Sequence, residues 1–132
     1  MLRIFKIAGH PYTLVIVFCL LLISGENFGG VYLLYLLMAL PHGSLHALLG
    51  FGGIVLLLCS RLRPISPFTE VSLNTAGLAC MLFSVFIFFG RDSSGYNLDS
   101  FHLAVPLASF ILFGVLIVCS VANRIVSLMA ER

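Results

Sequence analysis

The sequence predicts an all-α integral membrane protein, a single domain over residues 1–132 that forms a bundle of four transmembrane helices. Composition is the first reason, because 61% of the residues are hydrophobic, only 9% are charged and the mean hydropathy is +1.16. About a quarter of a soluble domain is charged, and a chain this short would not bury so much apolar surface in water. Segment length is the second reason, since about 17 to 25 apolar residues span a bilayer as a helix. The segments that qualify cover residues 7–24, 31–60, 71–89 and 101–122.

The pattern within these segments favours helices over barrel strands. None of them alternates between polar and apolar residues, and in a bilayer a helix satisfies its own backbone groups. The first segment lacks a small-residue cleavage site, so it is expected to be an uncleaved span rather than a signal peptide. The seven Lys and Arg residues are scattered among segment ends, which predicts no nucleic-acid partner.

The distribution of basic residues predicts how the chain is threaded. If the chain crosses the membrane four times, one side of the membrane carries Arg3, Lys6, Arg61, Arg63, Arg124 and Arg132. Arg91 falls on the other side, in a loop that also carries Asp92 and Asp99. By the positive-inside rule both termini are cytoplasmic, and we expect the bilayer to be a bacterial inner membrane.

The second segment is predicted to be broken at Pro41–Ser44, within the stretch LPHGSLHALLG. Residues 31–60 would make a helix of roughly 45 Å, too long for one upright crossing and too short for two. Pro41 removes a helical hydrogen bond and Gly43 relaxes the backbone, so both are hinge candidates. One interpretation is a short outer-leaflet or surface helix over residues 31–40, followed by a spanning helix over residues 45–60. The other is one kinked, strongly tilted helix.

Histidines make this stretch a candidate cofactor site. His42 and His46 are four residues apart, and His102 opens the fourth segment on the same predicted side. An ionisable residue inside a membrane is a functional hypothesis, and histidine is a common ligand of haem and of metals. The alternative is structural, because a neutral histidine can hydrogen-bond a carbonyl that a proline break has freed. His10 lies at the other end of the bundle and is expected at the interface.

Small residues spaced four apart predict close helix packing. In the third segment these are Ala76, Cys80 and Ser84, and in the fourth they are Ala104 and Ala108. Such a face either packs within the bundle or docks another membrane subunit or a second copy.

The chemistry that is missing decides the expected function. The sequence has no H-E-x-x-H motif, no phosphate-binding loop, no C-x-x-C pair and no acidic or basic residue deep in a span. We therefore expect a non-enzymatic structural subunit or scaffold that packs against other membrane subunits or against itself. Two alternatives stay open. One is a redox subunit that binds haem, quinone or metal through His42, His46 and His102, and the other is a pore or carrier for a neutral or lipid-like solute.

Overall fold

The computed structural model describes residues 7–24, 29–62, 66–91 and 96–130, and this part of the chain is mostly helical. The helices are α1 (Pro11–Cys19), α2 (Tyr32–Ala39), α3 (Leu45–Leu62), α4 (Pro67–Gly90) and α5 (Ala104–Ala130). A short antiparallel hairpin of β1 (Leu22–Ile23) and β2 (Gly30–Val31) joins α1 to α2. Two 3-10 helices, Leu40–His42 and Tyr96–Phe101, precede α3 and α5.

Two helices, α4 and α5, are long and apolar enough to cross a membrane within the described residues. The number rises to three if α2, its 3-10 extension and α3 count as one span, which is bent by 116°. A bundle of four transmembrane helices is therefore not confirmed. The difference lies in the first predicted segment, where α1 has only nine residues. The helix begins at Pro11, which suits a first helical position, and the chain has become extended by Leu22, which pairs with Val31.

The break in the second segment is found where the sequence predicts it. The chain passes from α2 into the 3-10 turn Leu40–His42, and Gly43 then adopts a left-handed conformation with φ of 63°. That conformation suits glycine, which has no Cβ. The 116° bend supports the interpretation as a separate short helix, and α2 agrees with the predicted 31–40 to within about a residue at each end.

The helices α3 and α4 form a closely packed antiparallel pair. Their contacts run in opposite chain directions, from His46 with Ser84, through Gly53 with Gly77, to Ser60 with Asn74. At the crossing, a Cβ atom added to Gly53 would lie 2.7 Å from the carbonyl oxygen of Gly77. The two backbones approach this closely because both residues at the crossing are glycine.

The first apolar segment runs antiparallel along α5, although only part of it is helical. A Cβ atom added to Gly9 would lie 3.0 Å from the Cα of Ser120. Further along, the N–H of Leu22 donates to the hydroxyl of Ser109 at 3.1 Å, and the N–H of Ser24 donates to Ser100 at 2.8 Å. The chain from residue 9 to residue 24 thus follows α5 back from Ser120 to the turn that precedes it.

The molecule has two chemically different ends. The charged end contains the salt bridge between Arg61 and Glu70, at 3.1 Å, with Arg124 within electrostatic range of both. His10 lies here too: burial lowers the pKa of its imidazole, and the nearby positive charge of Arg61 lowers it further. The hairpin end contains β1, β2, α2 and the two 3-10 helices. The basic residues Arg3, Lys6, Arg63 and Arg132, together with Asp92, lie outside the described residues.

Candidate functional site

A chain of hydrogen bonds joins three helices beside the break. The hydroxyl of Tyr32, at the start of α2, lies 2.9 Å from the Oγ of Ser84 on α4, and that Oγ lies 2.6 Å from the carbonyl oxygen of His46 on α3. Ser84 has one hydroxyl proton and the carbonyl can only accept, so Tyr32 donates to Ser84 and Ser84 donates to His46. Tyr32 and Ser84 are both fully buried. This chain holds α2 against the α3–α4 pair.

Aromatic rings fill the space around these hydrogen bonds. The ring of Phe88 contacts those of Tyr32, Tyr35, His46 and Phe89, with centroids 5.3 to 5.5 Å apart. From there the cluster continues to its other members, which are Phe18, Phe101, Phe110 and Phe113. This cluster is not visible in the sequence, because its phenylalanines are far apart in the chain and look like ordinary apolar span residues.

The three histidines of the predicted cofactor site, His42, His46 and His102, lie in different surroundings. His42 is exposed in the 3-10 turn, His46 is half-buried against Phe88, and His102 is exposed beyond the second 3-10 helix. Ring contacts lead from His46 through Phe88 and Phe89 to Phe101, the residue before His102. Among the described residues, no group of three or more His, Cys, Asp or Glu side chains is placed to hold a metal ion.

The predicted packing residues only partly face the interior. Ser84 is buried and Cys80 is half-buried, whereas Ala76, Ala104 and Ala108 are exposed on this single chain. The face of α4 that packs on α3 instead carries Asn74, Gly77, Met81 and Ser84. Within the chain, the α3–α4 interface is centred on Gly77, the residue after Ala76, and Ala76, Ala104 and Ala108 are left exposed.

A buried polar pair lies near the charged end. The Oγ of Ser60 is 2.7 Å from the carbonyl oxygen of Leu57 and 2.9 Å from Oδ1 of Asn74. The Nδ2 of Asn74 has no hydrogen-bond partner among the described residues, although the side chain is fully buried. One hydroxyl proton cannot serve both acceptors. Turning the amide so that Nδ2 donates to Ser60 satisfies that pair and leaves one amide oxygen without a donor.

An apolar groove of about 380 Å³ lies at the hairpin end, between the last turns of α4 and the second 3-10 helix. Seven residues line it: Leu82, Val85, Phe86, Phe89, Gly90, Leu98 and Phe101. Phe86 and Leu98 are among its most exposed members, so the groove is open to the surroundings of the protein. Its walls are continuous with the aromatic cluster through Phe89 and Phe101.

The helix α5 is the least covered of the long helices. Only 17% of its most apolar stretch is buried, against 28% for α4. Its buried side, which includes Phe113, Leu116 and Ser120, faces the rest of the chain. The opposite side is exposed, and we call it the exposed face of α5; its residues are Ala104, Ala108, Ile111, Val115 and Val118.

Comparison of the chain with known protein families, with curated proteins and with solved structures finds no match in any of the three.

Proposed function

We propose that the protein is a small, non-enzymatic membrane scaffold or accessory subunit, whose α5 packs against a helix of another membrane subunit or of a second copy. The observation that carries the proposal is the exposed face of α5. A helix that is covered along one side only, and is small or β-branched along the other, offers a surface on which a second helix packs closely.

The spacing of the exposed face supports a lengthwise helix contact. Its residues follow one another at intervals of four, three, four and three, which is a repeat of 3.5 residues per turn. Two helices that share this repeat remain in contact over several turns by crossing at about 20°. Ala104 and Ala108 allow close approach of the backbones, while Ile111, Val115 and Val118 are stiff at χ1 and lose little side-chain freedom when they pack.

The proposed threading has four crossings, the first of which is only half helical. The chain from residue 9 to residue 24 runs beside α5 from Ser120 back to Ser100, and residues 104–120 of α5 alone rise about 24 Å, which is most of a hydrocarbon core of about 30 Å. The remaining crossings are α3, α4 and α5, and α2 lies in the outer leaflet. The charged end faces the cytoplasm by the positive-inside rule, with both termini on that side, as in a bacterial inner membrane.

Backbone groups near the two breaks are already hydrogen-bonded within the chain, which favours a scaffold over a carrier. In carriers with interrupted helices, freed backbone groups line a cavity and bind the solute. Here the hydroxyl of Ser109 accepts from the freed N–H of Leu22, and Ser84 donates to the carbonyl of His46. Rings fill the surrounding space, so these groups serve to hold the chain together.

Cysteine cross-linking along α5 in native membranes tests the proposal. The four native cysteines, Cys19, Cys59, Cys80 and Cys119, are first replaced by alanine, and single cysteines are then placed along α5. We expect cross-links at positions 104, 108, 111, 115 and 118, and weak or absent ones at the flanking positions 105 and 112. The mass of the product then distinguishes a second copy from a different subunit. Cross-linking that is absent, or equal at all positions, would contradict the proposal.

A matched pair of variants tests the packing itself. Ala108→Leu enlarges a residue at the centre of the exposed face, whereas Val105→Leu enlarges an exposed residue on its flank. We expect Ala108→Leu to dissociate the complex in mild detergent and Val105→Leu to leave it intact. Equal effects of the two would show that α5 faces only lipid.

A further inference from the structure

The apolar groove at the hairpin end has the composition of a site for a hydrocarbon chain. Its volume of about 380 Å³ falls within the roughly 300–1,000 Å³ of ligand sites, and all seven of its lining residues are apolar. It runs along α4 from Leu82 to Gly90, which is about 12 Å of helix. Because α4 is long and apolar enough to span a membrane, the groove opens towards the hydrocarbon, where a lipid chain is the abundant occupant.

Both walls of the groove lead directly to a charged residue, and the two charges have opposite sign. Arg91 follows Gly90 at the end of α4, and Asp99 lies between Leu98 and Phe101 in the 3-10 helix. Both charged residues are exposed, and they do not form a salt bridge with each other. A purely anionic headgroup would meet Arg91 favourably but would be repelled by Asp99.

From these observations we propose that the groove binds one chain of a zwitterionic phospholipid whose headgroup carries a phosphate and a primary ammonium group. The phosphate is placed at Arg91, where a guanidinium provides several N–H donors, and the ammonium is placed at Asp99. The site is distinct from the exposed face of α5, and it binds lipid whichever partner α5 has.

Glycine substitutions provide a matched test of the groove. A Cβ atom added to Gly90 has nothing within 4 Å, so Gly90→Leu fills the groove without a backbone clash. Gly114 on α5 is exposed and equally open, so Gly114→Leu is the same substitution away from the groove. Leu98→Trp fills the groove from the opposite wall and replaces Gly90→Leu if that variant fails to fold.

The experiment is native mass spectrometry of the delipidated protein with an equimolar mixture of phosphatidylethanolamine, phosphatidylglycerol and phosphatidylcholine. We expect one phosphatidylethanolamine to be retained with a preference of about tenfold over phosphatidylglycerol, the size of effect that a charge-assisted contact gives. Gly90→Leu is expected to lose this lipid and Gly114→Leu to keep it. Arg91→Gln and Asp99→Asn are each expected to reduce the preference, and the chain-free headgroup phosphoethanolamine should not bind.

Three results would overturn the inference. Equal retention of all three lipids would show that Arg91 and Asp99 do not select the headgroup. Unchanged retention in Gly90→Leu would place the lipid elsewhere on the protein. A change in oligomeric state in Gly90→Leu, with lipid retention unchanged, would show that a second copy covers the groove.

Discussion

The α3–α4 interface and the interface between residues 11–24 and α5 both join antiparallel segments, but they are built from different chemistry. In the α3–α4 pair, two uninterrupted helices approach at Gly53 and Gly77 with almost no space between their backbones. Along α5, the first segment leaves the helix after Cys19, and serine side chains accept hydrogen bonds from its backbone.

The difference follows from where the backbone groups find partners. A continuous helix satisfies its own N–H and C=O groups, so residues without large side chains are enough to let two helices approach closely. An extended segment has free N–H groups, and in an apolar environment each one must be matched by a polar group from another part of the chain. Ser100 and Ser109 provide these acceptors, and Ser109 also donates to the carbonyl of Pro106, so its hydroxyl is used in both directions.

A substitution at the crossing of Gly53 and Gly77 should lower the free energy of unfolding the most. Gly53→Leu places a Cβ atom 2.7 Å from the carbonyl oxygen of Gly77 and 2.8 Å from the Cγ of Met81, so α3 and α4 must separate. We expect the free energy of unfolding in detergent to fall by about 3 kcal/mol, as for severe overpacking. The control is Gly52→Leu, because a Cβ atom at Gly52 has nothing within 4 Å. If the two variants are equally stable, α3 and α4 do not cross at Gly53.

Removing the buried hydrogen bonds beside the break should lower the free energy of unfolding by less. Ser84→Ala leaves the buried hydroxyl of Tyr32 without a partner, and we expect it to cost about 2 kcal/mol of unfolding free energy. Tyr32→Phe leaves Ser84 still donating to His46, so it should cost only about 0.6 kcal/mol, a typical value for such bonds in membranes. The double variant should be no less stable than Ser84→Ala alone. Strict additivity of the two losses, measured by chemical unfolding, would contradict the contact.

The free energy of unfolding should depend weakly on pH through His10, at the charged end. The pKa of His10 is lowered in the folded protein, so the unfolded chain binds more protons in the pH range between that lowered pKa and the ordinary value of 6.5. The free energy of unfolding should be highest above pH 6.5, decrease as the pH falls through 6.5, and level off below the lowered pKa. His10→Asn keeps a side-chain acceptor at the start of α1 but does not titrate, so it should remove this part of the pH dependence. A thermal-unfolding profile that is identical in the two proteins would disprove the contribution.

The break in the second segment was predictable from sequence because its causes are local. Pro41 lacks an N–H, Gly43 tolerates the left-handed conformation, and both act on the residues beside them. The end of helical structure in the first segment was not predictable, because the extended conformation of Leu22 depends on Ser109, which lies 87 residues away in the chain.

Which side of each helix packs against a neighbour was only partly predictable, for a different reason. Almost every residue of a span is apolar, so hydrophobic periodicity does not show which side of a helix packs against a neighbour. The small residues of α4 fall on two adjacent stripes, one with Ala76 and Cys80 and one with Gly77 and Ser84, and only the second is centred on α3. The candidate cofactor site depended on the three histidines facing one another, which sequence spacing does not determine.

Site-resolved amide hydrogen exchange at Leu22 and Ser24 in detergent tests most directly the claim that Ser109 of α5 and Ser100 of the preceding 3-10 helix hold the first apolar segment in a partly extended conformation. In the native protein both amides should exchange slowly, and Ser109→Ala should accelerate exchange at Leu22 by about tenfold while leaving Ser24 protected. Ser100→Ala should have the reverse effect, and Ser72→Ala, at an exposed position on α4, should change neither. Equal protection of both amides in all four proteins would contradict the account and would indicate a continuous helix through residues 11–24.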